Sequence, residues 1–231
     1  MLGYCSRMGQ TGNPGSRPYD STRRREQAAA TRRAVLEAAR RLFERDGYTR
    51  TTMAAIAREA GVSAKTVYLA FESKRGVLTS LWHLLLRGDE EPVPVGERSW
   101  FRAVIDEPDP ERKIRANQRN ATAVRARLGG LLHVLRDAAP ADPDVAELWA
   151  RIQADFRANQ REVVEDLDRR GALRPGLDVE RAADVLWTLN HPDVQRLLVH
   201  ERGWTPAEHE RWTADVLCAE LLGAGPAGTG G

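Results

Sequence analysis

A chain of 231 residues, 42% of them hydrophobic, can fill the core of one medium domain or two small ones, which excludes general disorder. Only two cysteines, Cys5 and Cys218, stand near opposite ends, which excludes a disulfide framework and fits a cytoplasmic setting, and no apolar stretch approaches the ~20 residues of a membrane span. The net charge of +2 divides into +9 over residues 1–87 (16 Lys and Arg, 7 Asp and Glu) and −7 over residues 88–231 (19 against 26). A polyanion partner for the first part accounts for this polarity, and so do arginine-rich helices with solvated faces.

Residues 1–21 hold Gly3, Gly9, Gly12, Pro14, Gly15 and Pro18 and lack helical or strand periodicity, so a disordered basic arm is expected. The arm has no apolar core of the signal-peptide kind, and export is not expected. Arg17, with Arg23, Arg24 and Arg25 just beyond it, suits a minor groove. From Thr22 onward Val35, Leu36, Ala39, Leu42 and Phe43 recur at helical spacing and predict an amphipathic helix that stops at Gly47. Thr51 offers an N-cap oxygen to a second helix carrying Met53, Ile56, Ala57 and Ala60, which Gly61 ends. Ser63 caps a third helix through about Phe71, and Ser73 caps a fourth with Val77, Leu78, Leu81, Trp82 and Leu85.

Gly88, Pro92, Pro94 and Gly96 mark a loop that separates residues 22–87 from residues 88–222. Further helical patterns lie near 97–105, 109–138 with a break at Gly129 and Gly130, 143–171, 178–202 and 205–222. Pro192 disfavours helical geometry at His191, so the 178–202 segment is expected to kink or restart there. Residues 223–231 form a Gly-rich tail. No period-2 alternation bounded by turns occurs, and the fold class is all-α: an N-terminal three-helix unit plus a larger helical domain.

The segment from Thr51 to Phe71 carries the chemistry. Two short helices joined at Gly61, with Val62, Val67 and Phe71 packing the second on the first, leave Ser63, Ala64, Lys65, Thr66 and Tyr68 facing outward at the start of the second. In a helix-turn-helix those positions enter the major groove of DNA. Thr52 begins its helix, where a hydroxyl and the helix N-terminus favour a phosphate. Lys65 suits guanine O6 or N7, or else a phosphate, and Lys74 suits a phosphate.

The runs Ala38 to Phe43, Asp46-Gly47-Tyr48, Thr51-Thr52, Ile56-Ala57, Ala60 to Ser63, Thr66-Val67-Tyr68 and Phe71 to Lys74 fall in an order that resembles the TetR family. The resemblance covers Thr31 to about Trp82 and implies a homodimeric regulator binding double-stranded operator DNA, with a linking fourth helix and a larger helical effector-binding and dimerisation domain. Ala70 departs from the family, which often has Tyr or His there, and Ala64-Lys65 replaces a common Gly-containing pair.

The last two helices look like the segments that pair across TetR-type dimers, with Trp187, Leu189, Val194, Leu197, Leu198, Trp212, Val216, Leu217 and Leu221 as a broad apolar surface or as ordinary core. Two-fold pairing presents recognition helices ~34 Å apart. A pocket for an unidentified small-molecule effector is expected among Trp100, Leu132, Leu135, Trp149, Ile152, Phe156 and Trp187, with His133, Asn159 or Gln160 as polar contacts. Trp149, Ile152 and Phe156 also fit a plain core stripe.

No H-E-x-x-H, G-x-S-x-G or phosphate-binding Gly loop occurs, and His83, His133, His191, His200 and His209 have no metal-ligand spacing, so no enzyme, metal or cofactor is expected. The carboxylates Glu162, Glu165, Asp166 and Asp168 stand among Arg161, Arg169 and Arg170 as a solvated face. Two alternatives stay open at this level: an activator of the same fold, and a helical adaptor whose basic head binds an acidic protein.

Overall fold

The computed structural model describes residues 19–89, 91 and 93–222; most of the expected arm and all of the expected tail lie outside the described residues. In order the helices are α1 (Tyr19–Asp46), α2 (Met53–Glu59), α3 (Ala64–Phe71), α4 (Lys74–Arg87), α5 (Ser99–Asp106), α6 (Pro110–Leu128), α7 (Leu131–Ala138), α8 (Pro143–Arg169), α9 (Val179–Leu189), α10 (Pro192–Gln195) and α11 (Pro206–Leu221). A 3-10 turn spans Val95–Glu97, and a π-helical segment, Arg196–Glu201, continues α10. The fold is all-α, with one isolated bridge between Leu173 and Leu222 among the described residues.

Local chemistry explains the boundaries. Ser63, Ser73, Asp109 and Asp178 each accept an amide hydrogen three residues on, and Thr205 with Glu208 forms a reciprocal capping box at the start of α11. α6, α8, α10 and α11 all open on a proline, whose missing N–H costs nothing at that position. His191 is extended, and the chain restarts at Pro192, which carves α10 out of the longer expected segment.

Two boundaries differ from the sequence reading. α1 begins at Tyr19, inside the expected arm, because Pro18 is the last proline or glycine before a run of helix-compatible residues. The cap of α2 is Thr52, not Thr51: the Thr52 hydroxyl accepts from the Ala55 amide at 3.1 Å, while Thr51 is buried and its hydroxyl donates to the Gly47 carbonyl at 2.9 Å.

The apolar interior falls into two clusters. The first joins Val35, Leu36 and Phe43 of α1, Ile56 of α2, Val67 and Phe71 of α3 and Leu78 and Leu81 of α4 to Leu131 and Leu135 of α7 and Val145, Leu148 and Ile152 of α8. The second joins Phe101 and Val104 of α5, Ile114 of α6, Val163, Val164 and Leu167 of α8, Ala182, Ala183 and Leu186 of α9 and Leu217 and Leu221 of α11. α6 and α8 therefore run through both, with Ile114 and Leu128 at the two ends of one and Val145 and Leu167 toward the two ends of the other.

Candidate nucleic-acid interface and ligand cavity

α2 and α3 are joined by a turn in which Gly61 has φ +68°, a conformation an L side chain resists. Val67 and Phe71 bury one face of α3 in the first cluster. The opposite face is left to solvent: Ser63, Ala64 and Lys65 are exposed, Thr66 is half-buried, Tyr68 is 52% exposed and Leu69 is 77% exposed. The Ser63 hydroxyl caps the Thr66 amide at 3.1 Å and lies 2.8 Å from the Thr66 hydroxyl, which fixes the first turn. Thr52 is likewise exposed at the start of α2. The sequence reading missed Leu69, an apolar side chain on the outward face of a polar helix start.

Three contacts fix the far end of α3. Arg32 of α1 donates to the Ala70 carbonyl at 3.1 Å and to the Ser80 hydroxyl at 2.9 Å, and its guanidinium lies 4.4 Å from the centre of the Phe71 ring. Gly76 packs so close to the end of α3 that a Cβ there would lie 2.0 Å from the Phe71 carbonyl oxygen. Lys74 does not extend from the surface as a phosphate contact would. Its ammonium donates to the Tyr48 carbonyl at 2.9 Å and sits 4.1 Å from the Tyr48 ring centre, holding the start of α4 against the α1–α2 loop.

Between the two apolar clusters lies a cavity of about 410 Å³. α4 contributes Trp82, His83, Leu86 and Arg87; α6 contributes Val124, Arg125 and Leu128; α8 contributes Ile152, Gln153, Phe156 and Asn159. Val95, Gly96, Leu132, Asn190 and Pro192 complete much of the wall. Of the expected pocket residues, Leu132, Ile152, Phe156 and Asn159 line it. Trp149 does not: it sits one turn before Ile152 and packs on the first cluster. Trp100 packs on the second cluster and offers its carbonyl to Asn120, and Trp187 stacks edge-on against His191 at 5.0 Å. His133 lines a separate cavity beside His200, its pKa lowered first by burial and then by Arg136. Leu135 is core, and Gln160 is buried in an amide network, accepting from Asn117 at 3.1 Å and Asn190 at 3.0 Å.

The residues expected at a dimer surface divide in two. Leu217 and Leu221 are fully buried in the second cluster and have no surface left for a second copy. Leu197 and Trp212 are exposed, Trp212 stacks edge-on against Trp204, and Leu189, Leu198 and Val216 are half-buried. The two that differ from expectation occupy the inward positions of α11, four residues apart.

A capped helix offered to solvent by a helix-turn-helix is the arrangement by which DNA-binding regulators place side chains in a major groove, and here it stands on a helical body with an internal cavity. The family model described as bacterial regulatory proteins, tetR family, matches residues 35–81. The probable HTH-type transcriptional regulator ArpR of Pseudomonas putida is 30% identical over 167 residues, 70% of this chain and 77% of that protein. The chain belongs to the TetR family, DNA-binding transcriptional regulators that are typically repressors. Among solved structures, NalD, the secondary repressor of the MexAB-OprM efflux pump in Pseudomonas aeruginosa, superposes with a TM-score of 0.66 at 20% identity, covering 85% of this chain and 98% of that one. A SmeT–triclosan complex also superposes with a TM-score of 0.66, at 18% identity over 87% of this chain and 98% of that one. These relatives are regulators, not enzymes, and no helix among the described residues is long and apolar enough to cross a membrane.

Proposed function

We propose that this protein is a ligand-responsive repressor that binds palindromic operator DNA as a homodimer. Residues 22–87 form the DNA-binding head, reading DNA through Thr52, Ser63, Ala64, Lys65, Thr66 and Tyr68, with Lys74 positioning the helices. Residues 88–222 hold the effector and the dimer surface, the latter using Leu189, Leu197, Leu198, Trp212 and Val216. The effector site is the cavity walled by Ile152 and Phe156.

The observation that carries this reading is the double duty of α4. Its Val77, Leu78 and Leu81 belong to the core of the head, and its Trp82, His83, Leu86 and Arg87 to the wall of the cavity. A ligand that fits one setting of α4 better than another shifts the head by its differential affinity, with no catalysis. The triclosan complex of the similar fold supports small-molecule occupancy.

The test is binding of the purified protein to its own upstream intergenic DNA, beside a Lys65→Ala, Tyr68→Ala double variant of equal thermal stability. Sequence-specific protection by the wild type, lost in the variant, is the expected result. Absence of specific protection at every salt concentration refutes operator binding and favours an acidic protein partner.

A further inference from the structure

Three cations are buried among the described residues: Arg98, which Asp89 meets with two hydrogen bonds at 2.6 and 2.9 Å, and Lys113 and Arg125, which are treated differently. Lys113 of α6 is 0% exposed, and its ammonium meets the Asp166 carboxylate at 2.5 Å and the carbonyls of Val104 and Ile105. Arg125, three turns further along the same helix, is 7% exposed. Its Nη1 donates to the Asn190 carbonyl at 3.3 Å, a long bond, while Nε and Nη2 have no acceptor among the described residues. No carboxylate among the described residues reaches it as an ion pair; Glu210 attracts it only at a distance. Burial brings its pKa down to about 10, so it still carries its charge at neutral pH.

An unpaired charge in the interior is strongly unfavourable for the protein alone. Water can take up the guanidinium protons, but it does not neutralise the charge; an anion does both. Arg125 faces the cavity between the clusters, whose other walls are largely apolar, and also borders the second cavity beside His133. Gln153 and Asn190, on the same wall, each hold a buried side-chain oxygen without a donor. Among the described residues the cavity wall holds one acid, Asp155, which is exposed on α8.

We infer that the cavity selects a small amphipathic anion, its carboxylate-like group on the Arg125 guanidinium and its apolar body against Trp82, Ile152 and Phe156. This rests on the effector-site reading above and adds the ligand's charge to it. A hydroxyl or amide donor elsewhere on the ligand suits Gln153 and Asn190.

Calorimetric titration of the full chain with 2-naphthoate, 2-naphthamide and 2-naphthylmethylammonium tests it, since the three share a ring system and differ in charge. Naphthoate is expected to bind about 10- to 100-fold more tightly than naphthamide, with the ammonium weakest. Arg125→Met is expected to abolish that preference while keeping naphthamide binding, and Arg125→Lys to retain part of it. Arg125→Met is also expected to melt above the wild type, because it removes a desolvated charge; a lower melting temperature would make Arg125 a structural element and overturn the inference. Equal binding of naphthoate and naphthamide, or a preference that survives Arg125→Met, overturns it too, while leaving the cavity as an effector site. If none of the three binds, or if Phe156→Ala changes no binding, the effector-site reading fails with it.

Discussion

Gly76 and Lys74 fix the start of α4 against the end of α3 and the α1–α2 loop. The Cβ of Gly76→Ala would meet a backbone oxygen at 2.0 Å, and a backbone cannot rotate away as a side-chain tip does. The start of α4 or the end of α3 must move, at a cost of about 1–3 kcal/mol. A drop in melting temperature together with weaker DNA binding is expected, and an unchanged melt would show that the contact relaxes freely. For Lys74→Met the informative quantity is the salt dependence of DNA affinity. A lysine on a phosphate contributes about one unit to the slope of log K against log salt. Because the Lys74 ammonium is spent on the Tyr48 carbonyl, the variant is expected to bind more weakly with an unchanged slope, whereas Lys65→Ala lowers the slope. A lowered slope for Lys74→Met would return that residue to the DNA surface.

At the scale of the element, much is legible in sequence and some is not. Caps and breakers are local: Ser63, Ser73, Gly61 and Pro192 announce helix ends because their chemistry acts within one turn. The inward faces of α1 to α4 are legible for the same reason, as apolar residues recur at helical spacing. The π-helical segment at Arg196–Glu201 is not, since nothing in Arg-Leu-Leu-Val-His-Glu distinguishes a wide turn from an α turn. Which tryptophan meets the cavity is also hidden. Trp82 lines it and Trp100, Trp149 and Trp187 do not, a sorting made by how α4 crosses α6 and α8. Arg125 is one of five arginines and lysines from Lys113 to Arg127, and only packing separates it from a solvated neighbour such as Arg119. The junction of α4 with α8 yields its own prediction. Arg75 donates to Asp144 at 3.1 Å and Glu147 at 2.8 Å, but Asp144 and Glu147 are exposed, and exposed pairs contribute ~0–1 kcal/mol. Arg75→Ala is therefore expected to leave the urea midpoint nearly unchanged, and a large fall would mean that this junction matters more than its exposure allows.

For the whole molecule, buried ionisable groups set the response to acid. Burial, and then the charge of Arg125, lowers His209 to about 4 from its ordinary 6.5. The unfolded chain therefore takes up this proton before the folded one does, and stability falls as pH drops from about 6.5 toward 4. His83, His133 and His191 are lowered as well, each mainly by burial, and act in the same direction. Asp166 follows at lower pH: burial opposes its ionisation, but hydrogen bonds from Lys113, Arg170 and Arg169 outweigh it and hold the carboxyl at about 2, so its contribution disappears between about pH 4 and 2. Urea midpoints are expected to fall between pH 7 and 5 in the wild type and to fall less in His209→Gln. Equal slopes would assign the acid sensitivity elsewhere.

The sharing of α6 and α8 between the two apolar clusters bears on modularity. Leu131 and Leu135 of α7 and Val145 and Leu148 of α8 close the same cluster as Phe43, Leu78 and Leu81, although more than forty residues of chain intervene. A fragment cut at residue 87 keeps every side chain proposed to touch DNA yet loses the lid of its own core. Grafting the proposed operator preference onto another regulator is thus a matter of exchanging the exposed face of α3 on an intact host, not of transplanting the first 87 residues.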